Sequence, residues 1–315
     1  MTSRTLISAT LATVFAGVLP AADQQLLNLV MPDAKSLAGV NVDQAKNTPF
    51  GQYILTQIQQ SEDKGLQELI SNTGFNPTTD VSEVLFASNN TPNTGLALAR
   101  GNFNVTTISM AATTHGGAVE TYKGATIIED PKQTHAIAFL NSNYVVAGDL
   151  ADVKAAIDRQ TVPAPIPSSL AVQVNQWSTT EDAWALTTAP PAAKAGAGTP
   201  TIPGIGSLSL QTIQSAAAGV KFGNNVVLTA QAQASNPNDA QQLAGALQLL
   251  VNMAQMQVNN QNPQAGAILN SLQVSAQGTT LNASLSVPED QLQQIIKSGP
   301  QNAAPHTRRP MGRKQ

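Results

Sequence analysis

The segment spanning residues 135–160 places two strand-forming stretches, a polar turn and a helix in immediate succession. Residues 136–140 and 144–147 are rich in the β-branched and aromatic types that favour strands, and the three residues between them suit a tight hairpin turn. Asp149 then occupies the position of a helix N-cap, where its carboxylate would accept first-turn backbone N–H groups. The apolar residues of that helix recur at helical spacing and predict one buried face: Val153, Ala156 and Ile157. The segment therefore predicts an antiparallel hairpin followed by a helix, a ββα unit.

The same order of elements returns elsewhere in the chain. Residues 271–298 form a second clear ββα unit, and residues 83–114 and 217–257 form weaker copies. Hairpins with short turns favour antiparallel pairing, and helices with one apolar face are expected to cover the sheet. The sequence therefore predicts an α+β fold, with two tandem domains of mainly antiparallel sheet and helices on one face. The repeated ββα units make this arrangement similar to ferredoxin-like folds.

A proline-rich segment divides the chain into two halves. Residues 161–169 contain three prolines, which disfavour both helix and central strand and are typical of a linker. We therefore expect an N-terminal domain over residues 24–160 and a C-terminal domain over residues 170–298. Each half begins with a strand, and the spacing from Ala38 to Ala183 suggests an internal duplication.

The N-terminus has the order of a secretory signal peptide. A single arginine precedes an uncharged, largely apolar run that ends before the first acidic residue, Asp23. This order predicts a signal peptide over residues 1–22, with cleavage near Ala21 or Ala22, and an exported protein that is periplasmic or secreted. The larger residue Pro20 near the cleavage position leaves the alternative that the segment stays uncleaved as an N-terminal anchor.

Composition removes several classes of chemistry. The chain has no cysteine, so disulfides, thiolate nucleophiles and cysteine metal ligands are excluded. Only 11% of the residues are charged, which suits an exported protein with polar but weakly charged surfaces. Residues 299–315 carry four cationic side chains and no acidic one, and their prolines predict a disordered tail. The charge of this tail makes anionic surfaces its expected partner.

The C-terminal strands alternate in polarity. In residues 226–234 the apolar side chains fall on one face and the polar ones on the other, and residues 281–287 repeat the pattern. The helix that begins at Pro237 is expected to cover the apolar face. The polar face is an amide-rich surface that would hold a glycan or a peptide, or simply meet solvent. This candidate binding surface consists of Thr229, Gln231, Gln233, Gln273, Ser275, Asn282 and Ser284.

The N-terminal strands are apolar on both faces, so their sheet is expected to be covered twice. Helices would supply one cover. The other domain or a second copy of the chain would supply the other. Self-association through the N-terminal sheet is therefore one expected partnership.

No group of residues has the spacing of a catalytic, cofactor or metal site. The adjacent acids Glu129 and Asp130 point to opposite sides of an extended chain, so they are not expected to share a proton. The histidines also lack ligand spacing, and they are His115, His135 and His306. We therefore assign no catalytic residue, cofactor or metal from the sequence.

Four stretches resemble exported bacterial proteins of unknown function: FNPTTDVSEVLFAS, GLALARGNF, VETYKGATII and AIAFLNSNYVVAGDLADVKAAID. The resemblance covers residues 24–297 and includes no catalytic motif. It implies a scaffold, and it carries over no functional residue.

These features favour an exported, non-enzymatic protein that binds or assembles at the cell envelope, with an envelope polymer or protein as its partner. The alternative is a hydrolase whose carboxylate site is assembled from distant residues, for instance Asp80, Glu83 or Glu129. The two hypotheses differ in whether such carboxylates converge in the folded chain.

Overall fold

The computed structural model describes residues 22–60, 64–91, 94–188, 201–202, 206–207, 212–259 and 263–298. It is a mixed fold of helices and antiparallel strands, so the predicted α+β class is confirmed. The predicted tail and the predicted signal peptide, apart from Ala22, lie outside the described residues. Within the described part of the chain, no helix has the length and hydrophobicity needed to cross a membrane.

The described residues up to position 160 form seven strands and seven helices. The strands are β1 (Ser36–Asn41), β2 (Val81–Ser88), β3 (Leu96–Gly101), β4 (Ala118–Tyr122), β5 (Ala125–Glu129), β6 (His135–Phe139) and β7 (Tyr144–Asp149). The helices are α1 (Gln24–Leu29), α2 (Val42–Lys46), α3 (Pro49–Gln59), α4 (Lys64–Thr73), α5 (Pro77–Asp80), α6 (Val105–Thr114) and α7 (Leu150–Arg159).

The described residues beyond position 160 form the remaining strands and helices. The strands are β8 (Ala183–Thr187), β9 (Thr201–Ile202), β10 (Gly206–Ser207), β11 (Ile213–Lys221), β12 (Asn225–Ala234), β13 (Gln273–Gln277) and β14 (Thr280–Pro288). The helices are α8 (Ser168–Thr180), α9 (Pro237–Asn259), α10 (Pro263–Asn270) and α11 (Glu289–Ser298).

Polar side chains at the N-caps set several of these helix boundaries. Thr48, Asn104 and Asn236 precede α3, α6 and α9, and each side-chain oxygen accepts the backbone N–H three residues on, at 3.1, 3.1 and 3.0 Å. These bonds satisfy amide groups that a helix start leaves without a partner. The predicted start of the helix at Pro237 is confirmed.

Asp149 differs from the N-cap that the sequence predicts. It stands at the cap position of α7, but its carboxylate makes no capping hydrogen bond. One of its oxygens lies 3.2 Å from Nε2 of His135 on the neighbouring strand β6. The capping prediction is wrong because hairpin pairing places His135 directly opposite Asp149, where the imidazole engages the carboxylate.

Twelve strands form one antiparallel sheet, and β9 and β10 form a separate two-stranded hairpin. The order across the large sheet is β13-β14-β12-β11-β8-β1-β2-β3-β7-β6-β5-β4. Strands β1 and β8 adjoin near its centre, so both halves of the chain contribute to the same sheet. The sheet has no break between the halves, and the division into tandem domains at residues 161–169 stays a prediction.

Helices pack against both faces of the N-terminal part of the sheet. On one face, α1, α7 and α8 bury a large cluster of side chains that includes Leu85, Ile127 and Leu170. On the other face, α6 and its neighbours bury a smaller cluster around Phe103 and Ile128. The prediction of helices on one face is wrong for this part of the sheet. Ile127 and Ile128 are successive residues of β5 and therefore point to opposite faces. Because both are large and apolar, both faces are covered by helices.

Candidate functional site: an apolar trough across the sheet

One row of side chains crosses the whole twelve-stranded sheet on a single face and contains no polar residue. Each member lies opposite the next on the adjoining strand, and seven of the twelve are alanine. From β13 to β4 the row consists of Val274, Ala283, Ala230, Ala218, Ala185, Ala38, Phe86, Ala97, Ala147, Ile137, Ile128 and Val119. Because an alanine side chain is a single methyl group, the row forms a low floor along the middle of the sheet.

The middle of this row is open to solvent. Ala185, Ala218 and Ala230 are exposed, and Phe86 has 51% of its surface exposed. An apolar sheet face of this extent is ordinarily covered by helices or by a second sheet. The row is therefore an exception that needs an explanation beyond folding.

Among the described residues, helices α9 and α6 pack over the two ends of this face. At the C-terminal end, Leu243 of α9 packs in one cluster with Leu281 of β14. At the N-terminal end, Ile108 of α6 packs in one cluster with Ile128 of β5. Between these ends, strands β11, β8 and β1 present their alanines to an open trough.

The trough has a volume of about 940 Å³, which lies in the range of ligand sites. It follows the row from Ala283 to Ala147 across eight strands, a length of roughly 34 Å at the ordinary inter-strand spacing. Leu247 of α9 lines it beside the C-terminal strands. The described residues that line it include no charged side chain and a single aromatic ring, that of Phe86. We call this feature the alanine trough.

One long side of the alanine trough carries hydroxyl groups. Ser36, Ser88 and Thr187 lie side by side on β1, β2 and β8. The Ser36 hydroxyl lies 2.9 Å from the Thr187 hydroxyl and 2.8 Å from Oδ1 of Asn90. The Ser88 hydroxyl donates to the backbone carbonyl of Thr94 at 3.1 Å. The trough thus has an apolar floor and an uncharged polar margin near its middle, which we call the hydroxyl edge.

Two smaller depressions continue the alanine trough on the same face. One, of about 560 Å³, shares several alanines of the row and adds Leu228 and Leu272. The other, of about 500 Å³, shares Ala147 and adds His115 and His135. The apolar surface therefore extends beyond the row, and the histidines lie at its N-terminal end.

The polar surface predicted from the C-terminal strands lies on the opposite face of the sheet. Strand pairing sets six of its residues in two rows, which are Thr229, Ser284 and Gln273, and Gln231, Asn282 and Ser275. Gln233 follows on β12, and its amide contacts the Thr279 hydroxyl. The Gln231 amide donates to the Asn282 side chain at 3.1 Å. Because these amides bond to neighbouring side chains, fewer of their groups face an incoming ligand, and binding at this surface stays a prediction.

The three carboxylates suggested for a hydrolase have different partners. Asp80 accepts a backbone N–H at the start of α5, at 2.8 Å. Glu83 lies 3.7 Å from Arg100, and Glu129 lies 3.8 Å from Lys154. No two of them line the same depression among those described above. Across the described residues, no group of three or more histidine or acidic side chains is arranged to hold a metal ion.

The adjacent acids Glu129 and Asp130 have separate surroundings. Glu129 is 7% exposed, whereas Asp130 is partly exposed and accepts the backbone N–H of His135 at 2.9 Å. That hydrogen bond is the main cause of the lowered pKa of Asp130. The carboxylate of Asp130 therefore stabilises the turn before β6.

Sequence reasoning missed the alanine trough. The alternation of Leu228, Ala230 and Ala232 predicts an apolar face covered by α9, and α9 does cover Ala232. Leu228 and Ala230 remain exposed, so the covering prediction is wrong for this part of the strand. The sequence does contain a signal of the trough. Alanine fills alternate positions of these strands, where a covered sheet ordinarily has larger β-branched residues.

The fold and the site together define an α+β protein whose large antiparallel sheet carries a long apolar groove with exposed alanines in its middle. No protein family model and no curated protein matches the chain. Among solved structures it is similar to crystal forms I and IV of TP0453, with a TM-score of 0.50 for each. For form I the sequence identity is 11%, over 87% of this chain and 97% of that chain. For form IV the sequence identity is 12%, over 86% of this chain and 96% of that chain. At this identity the likeness concerns the fold alone.

Proposed function

We propose that this chain is an exported binding protein of the cell envelope, and that its ligand is an acyl chain held in the alanine trough. The observation that carries the proposal is the exposure of Ala185, Ala218 and Ala230 in the middle of a sheet. Proteins rarely leave so extended an apolar surface bare unless a ligand or a partner covers it.

The dimensions of the trough favour an extended ligand. Its length of roughly 34 Å is large for a volume of about 940 Å³. A hydrocarbon chain fits this shape. Nucleotides and sugars need stacking rings and polar partners along their length, whereas the described lining has one ring, that of Phe86, and few polar side chains beyond the hydroxyl edge. Each ligand methylene group removed from water contributes about 0.8 kcal/mol of binding free energy. Contact of the chain with several alanines of the trough floor therefore favours tight binding.

The hydroxyl edge indicates where the polar end of the ligand would lie. A carboxylate or ester there would accept a hydrogen bond from the Ser36 or Ser88 hydroxyl in place of the Asn90 or Thr94 oxygen that each hydroxyl now contacts. The acyl chain would then run over Ala185, Ala218 and Ala230 toward Leu247, because the alanines of this arm are the more exposed ones. Ala97 and Ala147, on the other arm, are half-buried. A free fatty acid and a phospholipid share this chemistry.

The predicted signal peptide supports an envelope role, since it would deliver the protein to a compartment bounded by lipid. The strand order also supports the predicted duplication. Outward from the centre, β1, β2, β3, β7 and β6 on one side match β8, β11, β12, β14 and β13 on the other. In the first half, α6 precedes the hairpin of β6 and β7, and α7 follows it. In the second half, α9 precedes the hairpin of β13 and β14, and α11 follows it. In this proposal the alanine trough crosses the junction between two related units.

Displacement of a fluorescent fatty acid tests the proposal. Across saturated fatty acids of increasing length, the affinity is expected to rise roughly fourfold per methylene until the chain fills its arm. Ala218→Trp places an indole on the floor and is expected to weaken binding by at least about tenfold. Parallel measurements with phospholipid vesicles show whether the acyl chain is taken from a free acid or from a membrane lipid.

Ala118→Trp is the matched control, because Ala118 is an exposed strand alanine on β4 that faces away from the trough. This variant is expected to bind as the unaltered protein does. Affinity independent of chain length, or equal losses in both variants, would contradict the proposal. Dimerisation that depends on Ala218, with no fatty acid bound, would assign the surface to a second copy of the chain.

A further inference from the structure

A cluster of charged side chains, buried or partly buried, surrounds the backbone nitrogen of Asp23. This N–H donates to Oε1 of Glu83 at 3.0 Å. The Asp23 carboxylate lies 3.2 Å from Nε of Arg100 and accepts the hydroxyl of Tyr144 at 3.1 Å. Glu83 is 8% exposed, so the nitrogen points at a carboxylate with little access to water.

The charges in this cluster do not balance. The two carboxylates of Asp23 and Glu83 face one guanidinium, that of Arg100, whose Nη2 lies 3.7 Å from Glu83. The hydroxyl of Tyr144 is neutral. A buried carboxylate without a full counter-charge is unfavourable, and burial is the main cause of the raised pKa of Glu83. The cluster lacks one positive charge.

Asp23 also lies where the packed core of the chain begins. Its carboxylate caps α1 by accepting a first-turn backbone N–H at 2.7 Å, and Leu26 and Leu29 of α1 are buried. A chain that started at Asp23 would keep this helix, its cap and its core contacts. Among the described residues it would lose only the contacts of Ala22, including the hydrogen bond from the Ala22 N–H to the Ser178 hydroxyl.

We propose that hydrolysis of the peptide bond between Ala22 and Asp23 creates an α-ammonium group that completes this cluster as the counter-charge of Glu83. Water adds across the bond, so that Ala22 leaves with a carboxylate and Asp23 keeps the amine, which takes up a proton. The nitrogen already lies at hydrogen-bond distance from Glu83, and no rearrangement is needed. The cleavage region predicted from the sequence includes this bond.

Burial sets the order of events. The side chain of Asp23 is 18% exposed and that of Glu83 is 11% exposed, so a peptidase reaches the bond before α1 docks on the sheet. The new terminus then holds α1 in place through an ion pair that the uncut chain cannot make. Processing is thereby coupled to the stability of the folded protein.

The position and the reactivity of the mature N-terminus test this inference. The full-length chain is expressed in an exporting bacterial host, and the intact mass of the exported protein is expected to show a start at Asp23. Labelling of its α-amine by an amine-reactive ester is then timed at pH 7. Pairing with Glu83 raises the pKa of the amine, so the unaltered protein is expected to label about tenfold more slowly than Glu83→Gln for each unit of that rise.

Glu120→Gln is the matched control, because the Glu120 carboxylate pairs with Lys154 at the surface, at 2.7 Å. It is expected to leave the labelling rate unchanged. A second variant keeps Glu83 and inserts one glycine before Asp23, which moves the ammonium away from the cluster. It is expected to label faster and to melt at a lower temperature. A mature start at any other residue, or equal labelling rates with and without Glu83, would overturn the inference.

Discussion

Ala38 on β1 lies directly opposite Ala185 on β8, and this pair lies where the two halves of the chain meet in the sheet. On the other face of the same two strands, Gly39 lies opposite Trp184, which is 6% exposed. The junction is therefore tightly packed on this face, whereas on the first face Ala185 is exposed and Ala38 is half-buried. Because the packed face already secures the junction, the surface of these alanines is available for binding.

The packed face of this junction depends on the absence of a side chain at Gly39. A Cβ at this position would lie 2.6 Å from Cζ2 of Trp184, well inside contact distance. We expect Gly39→Ala to lower the free energy of unfolding by about 1–3 kcal/mol, because the indole must shift. Urea unfolding measures this change. Gly245→Ala is the control, since nothing lies within 4 Å of a Cβ there, and alanine is expected to stabilise α9 by up to about 1 kcal/mol.

A charge on the trough floor should abolish acyl-chain binding with little effect on folding. Ala230 is exposed, so we expect Ala230→Asp to change the free energy of unfolding by no more than about 0.5 kcal/mol. A bound chain would desolvate the new carboxylate, and affinity should fall at least about tenfold. Fatty-acid displacement and urea unfolding of the same samples check both expectations. Gln273→Glu, on the opposite face, should bind normally, and a similar loss there would argue for a general charge effect.

The buried Glu83 predicts a pH dependence that differs between uncut and processed chains. In the uncut chain, burial raises the pKa of Glu83 above its ordinary value. The folded state therefore binds this proton more tightly than the unfolded state does, so stability falls as the pH rises from the ordinary pKa through the raised one. We expect the contribution of Glu83 to the melting temperature to increase as the uncut chain is acidified within that window.

Calorimetry at a series of pH values checks this expectation. The difference in melting temperature between each chain and its Glu83→Gln variant isolates the contribution of Glu83 from those of the other carboxylates. In a chain that starts at Asp23, the α-ammonium compensates the Glu83 carboxylate. The change of this difference with pH should therefore be smaller than in the uncut chain. Identical pH profiles for the uncut and processed chains would show that the terminus does not interact with Glu83.

Much of the local structure could be predicted from the sequence because it depends on neighbouring residues. The hairpin and helix of residues 135–160 follow from two strand-forming stretches, a polar turn and an apolar helix face, and Pro237 begins α9 as predicted. Contacts between distant residues carry no such signal. The Asp149 carboxylate contacts His135 instead of capping α7 because strand pairing brings these two residues together.

The candidate site depends on long-range order and was not predictable from local patterns. The alternation in β12 correctly separates its two faces, but how far α9 covers the apolar one depends on where that helix docks. The alanines of the row come from strands far apart in the chain, as Ala38 and Ala230 do, and they form one floor only through the strand order. Likewise, nothing near Glu83 in the sequence indicates that the nitrogen of Asp23 lies beside it.

Photo-cross-linking with a fatty acid that carries a diazirine at its methyl end tests the location of the ligand most directly. Peptide mapping by mass spectrometry is expected to place the cross-links on the alanine-trough segments that contain Ala218 and Ala230. Unlabelled fatty acid is expected to reduce this cross-linking by competition, and Ala218→Trp is expected to abolish it. Cross-links concentrated on the amide-rich face around Gln273 and Asn282, or scattered over the surface without competition, would contradict the account.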